Sequence, residues 1–175
     1  MIQTTTEMTE VEIRQYLGEL NDELRSMDVK GEICLYGGAV MALAYQARPD
    51  TDDVDAIFEP VRYLRIAARR VAERHGLPIG WLNTAVEIFL VPHERRILLD
   101  LSHLKVYIPP ADYLLAMKVL SARPGTLDED DLVVLINDLE LRSADEVIEI
   151  VKSYYPNKEV KPRARILLEE IFKGR

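Results

Sequence analysis

The stretch from residue 37 to residue 55 restricts the fold of this chain more than any other. An apolar run, Ile33-Cys34-Leu35, ends at Gly37-Gly38, and Thr51-Asp52-Asp53-Val54-Asp55 then leads into Ala56-Ile57-Phe58. The interval between Gly38 and Asp53 accommodates one short helix between two strands. A glycine turn at a helix start offers backbone N–H groups that lack internal partners, at the positive end of the dipole, which suits phosphate oxygens. Aspartates at i and i+2 of a strand point to one face about 7 Å apart, so they can converge on a hard cation. A phosphate cradle beside paired acids points to metal-assisted nucleotide chemistry.

On these residues the chain resembles the nucleotidyltransferase superfamily, whose signature is a Gly-Gly or Gly-Ser turn, a helix, and a strand bearing Asp-x-Asp. More narrowly, Tyr36-Gly37-Gly38-Ala39-Val40 with Arg48, Thr51, Asp53 and Asp55 is similar to small bacterial and archaeal nucleotidyltransferases related to abortive-infection toxins. A second block runs from Pro110-Ala111-Asp112-Tyr113 through Lys118 and Arg123 to Leu127-Asp128-Glu129-Asp130-Asp131-Leu132. It is similar to that group's lysine helix and downstream Asp-x-x-Asp motif. Trp81-Leu82-Asn83 also recurs in many members, and the similarities together span residues 32 to 140.

The resemblance implies an α+β fold in which a nucleotidyltransferase-type mixed sheet is flanked by helices. Residues 1–109 would form the core with its N-terminal helix, and 110–175 a helical subdomain packed on it. It implies transfer of a nucleoside monophosphate from a nucleoside triphosphate to a hydroxyl of RNA or protein, with Mg2+ or Mn2+ as cofactor. An antitoxin is the implied protein partner. By the same resemblance Lys118 and Arg123 contact the triphosphate, and Asp128 and Asp131 face the site and orient them.

In such a transfer an acceptor oxygen attacks the α-phosphorus, and charge builds on the non-bridging oxygens and the departing pyrophosphate, so cations must sit where that charge grows. Asp53 and Asp55 are the expected metal ligands. Gly37 and Gly38 let the backbone approach the triphosphate without a Cβ clash, and Arg48 and Thr51 either bind phosphate or fix their loop. A third carboxylate usually completes such a site as metal ligand or base. Asp100, closing Ile97-Leu98-Leu99-Asp100, is the best placed in sequence, with Glu87 its rival. A competing reading keeps the fold and drops the catalysis: an inactive nucleotidyltransferase serving as a nucleotide-binding or protein-interaction subunit.

Composition sets the remaining bounds. A chain of 175 residues with 48% hydrophobic residues can bury a real core. The 30 acids outnumber 22 bases, a net charge of −8, so generic binding to polyanions is disfavoured. A basic helix face at Arg62, Arg65, Arg69, Arg70 and Arg74 is the local exception, read first as a solvated exterior. No apolar stretch reaches membrane-spanning length, and the opening Met-Ile-Gln-Thr-Thr-Thr lacks the pattern of a signal peptide, so no membrane association and a cytoplasmic location are expected. The single cysteine, Cys34, reads as a packed strand thiol. His75, His93 and His103 follow no metal-ligand spacing, and Trp81 reads as a packing anchor.

The local pattern predicts a capped helix from Thr9 to Met27, a strand at 32–36, a helix at 38–46 and a strand at 54–58. Pro60 and Gly76 bracket a helix at 61–75. Residues 82–90 fit a helix or a strand of mixed pattern, and a short helix is the preferred reading. A hairpin follows at 96–101 and 105–108, then helices at 112–122, 128–141, 143–154 and 162–172.

Overall fold

The computed structural model describes residues 7–122, 125 and 127–175. They form an α+β protein with seven α-helices, a mixed five-stranded sheet and a separate two-stranded one. The chain divides into two compact units, one running up to Leu90 and resuming at Arg95–Ile108, the other combining Val91–Glu94 with Pro109–Arg175. Among the described residues no helix is long and apolar enough to cross a membrane.

In the first unit, β1 (Met8–Thr9) leads into α1 (Glu10–Ser26), β2 (Gly31–Tyr36), α2 (Gly37–Leu43), β3 (Asp50–Thr51), β4 (Val54–Glu59) and α3 (Val61–His75). After a 3-10 turn at Ile79–Trp81 come β5 (Leu82–Asn83), a second 3-10 segment (Ala85–Phe89), β6 (Arg96–Asp100) and β7 (Leu104–Ile108). The large sheet has the order β5-β4-β2-β7-β6. In it β2 runs antiparallel to β4 and parallel to β7. Its alternation is read directly from the pairs: Ile33, Leu35, Ala56, Phe58, Leu104 and Val106 are all buried on one face. α1 and α3 cover that face, close enough that a Cβ on Gly31 would meet Leu64 Cδ2 at 2.9 Å and Leu24 Cδ1 at 3.1 Å. The opposite face carries Glu32, Cys34 and Tyr36 of β2 and, paired with Tyr36, Asp55 of β4.

The expected start of α1 is present. Glu12 N–H donates to Thr9 Oγ1 at 3.2 Å while Thr9 N–H donates to Glu12 Oε1 at 3.3 Å, a reciprocal cap worth about 1 kcal/mol. α3 spans the predicted residues, with Pro60 before it and Gly76 in the left-handed conformation after it. The expected helix at 82–90 is a correction: β5 forms by pairing with the edge of β4, and only the next residues wind, as a 3-10 segment. β1 and β3 pair antiparallel, Met8 with Thr51 and Thr9 with Asp50, so the loop expected at 48–50 ends in a short strand.

The second unit holds α4 (Ala111–Ser121), α5 (Leu127–Asp138), α6 (Ala144–Tyr154) and α7 (Pro162–Lys173). Each matches its predicted helix to within a few residues. Ser143 caps α6 by accepting from Glu146 N–H, but Glu146 Oε2 returns to Arg142 N–H rather than to Ser143. The unit's core gathers Tyr113, Leu115 and Val119 of α4, Leu135 of α5, Val147 and Val151 of α6, and Leu168 of α7.

Candidate functional site

The glycine turn and the acid strand meet because of the β2–β4 register. Tyr36, the last residue of β2, pairs with Asp55, so the chain turns at Gly37 immediately beside the Asp55 side chain. Gly37 adopts φ 62°, and a Cβ there would lie 2.9 Å from Asp55 Oδ2. The positive φ favours glycine and the close approach requires it. A Cβ on Gly38 would lie 2.8 Å from Thr51 Oγ1 and 3.1 Å from Arg48 Nη1. One turn of backbone is therefore in contact with an acid, a hydroxyl and a guanidinium. α2 itself has only seven residues, so the turn's N–H groups and the Arg48 charge matter more here than any helix dipole.

Thr51 is anchored twice. Its backbone is held by Met8 of β1, and its hydroxyl donates to the Asp53 carbonyl at 3.2 Å. The second bond spans two residues, a local turn that fixes the approach to β4. The surrounding acids crowd one another. The Glu7 carboxyl is raised above its usual range by the charge of Asp50 first, then by burial and by Asp52.

Asp55 is half-buried and Asp53 exposed. Asn83 joins them from β5: it is in parallel register with Asp55, and its Nδ2 donates to Asp53 Oδ2 at 3.2 Å. The structure thus brings together Gly37, Gly38, Arg48, Thr51, Asp53 and Asp55, with Asn83 added. From the sequence Asn83 is a candidate, with Trp81, to line a base pocket, not a neighbour of the acids. Trp81 is the buried anchor expected, its Nε1 donating to the Ala68 carbonyl at 3.0 Å.

Asp100 is not part of this corner. It pairs with Lys105, which pairs with Glu32, which pairs with Glu59, so it belongs to the far end of the sheet. Three strand spacings and four residues of strand separate it from Asp55, roughly 20 Å. It lines an open groove with Lys30, Glu32, Glu59, His103 and Lys105 instead. As a third ligand beside Asp53 and Asp55 it is corrected. Glu87 is exposed on the 3-10 segment, and among the described residues no three His, Cys, Asp or Glu side chains are grouped to hold a metal ion.

In the second unit, Lys118 Nζ lies 2.9 Å from Asp128 Oδ1 and 2.8 Å from Asp131 Oδ2. Asp131 is fully buried. These pairs explain a lysine in an apolar helix without reference to a ligand. Arg123 lies outside the described residues.

The basic helix face divides. Arg70 bonds Glu23, and Arg74 bonds both Glu19 and Glu23 of α1, while His75 Nε2 lies 2.7 Å from Glu19 Oε2. Arg62, Arg65 and Arg69 are exposed. Cys34 is buried on β2, and burial raises its thiol pKa, the opposite of what a nucleophile needs. His93 stacks on Tyr113 at 4.1 Å between ring centroids, and His103 Nδ1 lies 2.9 Å from Ser102 Oγ, so both rings make structural contacts.

Compared with known proteins, the chain matches no family model, no curated protein and no solved structure.

The donor set at this corner is two aspartate carboxylates, the Asn83 oxygen being turned to Ala85 N–H and its NH2 to Asp53. Mg2+ commonly binds through one or two carboxylates plus substrate phosphates, retaining water elsewhere. The residues fit such an ion.

Proposed function

We propose that the first unit is a metal-dependent nucleotidyltransferase, moving a nucleoside monophosphate from a nucleoside triphosphate to a hydroxyl of RNA or protein. The observation that carries this reading is the Asp55 carboxylate packed against the Gly37 turn, with Asp53 tied beside it. Gly37 and Gly38 would admit the triphosphate against bare backbone, and Arg48 would take phosphate oxygens with a planar cation, while Thr51, its hydroxyl proton given to the Asp53 carbonyl, fixes the loop. Asp53 and Asp55 would hold Mg2+ or Mn2+, which when bound screens charge on the α-phosphate and the departing pyrophosphate. Their placement would also orient the α-phosphorus toward the acceptor, the positioning that dominates phosphoryl-type transfers. The resemblance to toxin-related enzymes adds an antitoxin as the partner that restrains the activity.

One observation favours a second reading, a nucleotide-binding subunit without transfer. The residue in register with Asp55 on the neighbouring strand is an amide, Asn83, and no third carboxylate joins the pair among the described residues. The two readings separate on one experiment. Purified protein is incubated with Mg2+, each of the four triphosphates labelled at the α-phosphate, and total cellular RNA or protein. Label transfer that disappears in Asp53→Ala and Asp55→Ala supports the enzyme. Metal-dependent nucleotide binding without transfer supports the binder, and neither binding nor transfer overturns both.

A further inference from the structure

We propose that Asn83 stands where a third carboxylate would complete the acid pair and acts as a positioning residue for Asp53. The corner then has two anionic ligands and takes its divalent ion as the metal–triphosphate complex rather than as the free ion. The inference rests on the nucleotidyltransferase reading of the same site.

Asn83 is fixed at both ends of its amide. Ala85 N–H donates to Asn83 Oδ1 at 3.1 Å, and a backbone N–H can only donate, so the oxygen must face Ala85. The NH2 group is thereby turned to Asp53, where it donates to Oδ2 at 3.2 Å. This bond occupies one lone pair of Asp53 and favours a single orientation of its carboxylate. The parallel pairing of Asn83 with Asp55 places the same side chain beside the second acid.

An amide and a carboxylate have nearly the same shape but opposite demands here. A carboxylate at position 83 would satisfy Ala85 with one oxygen and confront Asp53 with the other, a like-charge contact that only a cation between them relieves. With the amide the corner needs no such cation to be stable. It is also short of the ligands that hold a divalent ion without help from phosphate. Neither Asp100, at the far end of the sheet, nor Glu87 supplies the missing charge.

The test uses the full chain, with Mn2+ as probe and free ion counted by electron paramagnetic resonance, with and without non-hydrolysable triphosphate analogues of the four bases, each reading taken against the same mixture without protein. Wild type is expected to take up Mn2+ only when an analogue is present. Asn83→Asp should bind Mn2+ alone at least tenfold more tightly than wild type, and its melting temperature should rise with Mn2+ where that of wild type does not. Asn83→Ala should keep the wild-type melting temperature to within a few degrees, yet bind the Mn2+–analogue complex several-fold more weakly. Asn83→Asp binding free Mn2+ no better than wild type, or Asn83→Ala matching wild type with the analogue, overturns the inference while leaving the nucleotide site standing. Should Asn83→Asp fail to fold, the alanine variant decides. If no analogue promotes Mn2+ uptake by wild type, the inference falls together with the nucleotide reading, whatever Asn83→Asp gains.

Discussion

A Cβ built on Gly37 would lie 2.9 Å from Asp55 Oδ2, so the turn that ends β2 and the acid of β4 share one space. Two separate costs follow for Gly37→Ala. The left-handed φ costs about 1–2 kcal/mol for any residue with a side chain, and the methyl group would displace the carboxylate. Gly76 also has a positive φ, 67°, but nothing lies within 4 Å of its Cβ position. Gly76→Ala is therefore the matched control. Urea denaturation should show the φ cost in both variants and a larger loss in Gly37→Ala, whereas loss of metal–nucleotide binding should appear in Gly37→Ala alone. Equal binding by the two would separate Asp55 from the site.

The second unit has a tyrosine pair that should make it sensitive to alkali. Tyr113 and Tyr155 hydroxyls lie 3.0 Å apart, and Val91 N–H donates to Tyr113 Oη at 3.1 Å. Burial first, then the bond to Tyr113, raises the Tyr155 pKa well above that of a free phenol. Burial and the neighbouring Asp112 raise that of Tyr154 to about 12. A group whose pKa is raised by folding stabilises the protein below the unfolded value and loses that contribution as pH climbs through the folded one. The urea midpoint should accordingly fall between about pH 10 and 12. Tyr155→Phe should flatten that fall while lowering the neutral-pH midpoint, because the buried Tyr113 hydroxyl loses a partner worth about 1 kcal/mol.

The parts of the fold legible in the sequence are those whose cause is local. α3 could be bounded because Pro60 and Gly76 act on their own backbone, and α1 because Thr9 and Glu12 cap one another within a single turn. The two-residue strands β1, β3 and β5 have no period to read; each exists only because a distant partner offers backbone groups. The same distinction divides the candidate site. Gly37, Asp53 and Asp55 are carried by a strand–turn–helix–strand pattern whose spacing is visible. Asp100 lies at a strand end, but which end of the sheet that is depends on the parallel β2–β7 pairing and the antiparallel return of β6. Asn83 was visible as a residue, not as a neighbour of Asp55, since that relation arises from β5 pairing alone.

α1 and α3 are joined by a lattice of charges that sets acid sensitivity in the first unit. Burial by itself would raise the carboxyl pKa of Glu19, but bonds from Arg74, Gln15 and His75 outweigh it and hold it below the usual range. Glu23 is lowered in the same way, burial being outweighed by Arg70 and Arg74. A depressed carboxylate contributes fully above its unfolded pKa, and the contribution is lost as pH falls through the folded value. Wild type should therefore lose stability below about pH 4.5 more steeply than Glu19→Gln/Glu23→Gln. At pH 7 the double variant should be only about 1–2 kcal/mol less stable, since partly exposed pairs are each worth about 0.2–1 kcal/mol. Urea titrations of both proteins at several pH values measure the two slopes.

Lys118 gives the clearest separation between a structural cation and a ligand-binding one. Its ammonium is shared by Asp128 and by Asp131, which is 0% exposed. Lys118→Met retains the length and apolar character of the stem but removes the charge, leaving Asp131 buried without this cation. Breaking a buried pair in this way costs about 3–5 kcal/mol. Lys118→Met/Asp128→Asn/Asp131→Asn, which removes the acids along with the base, should recover most of the loss at pH 7. Denaturant unfolding read by circular dichroism measures the loss, and the fluorescence of Trp81 reports the first unit separately. A Lys118→Met protein as stable as wild type at pH 7 would show that the ion pairs contribute little and would return the lysine to the candidates for binding phosphate.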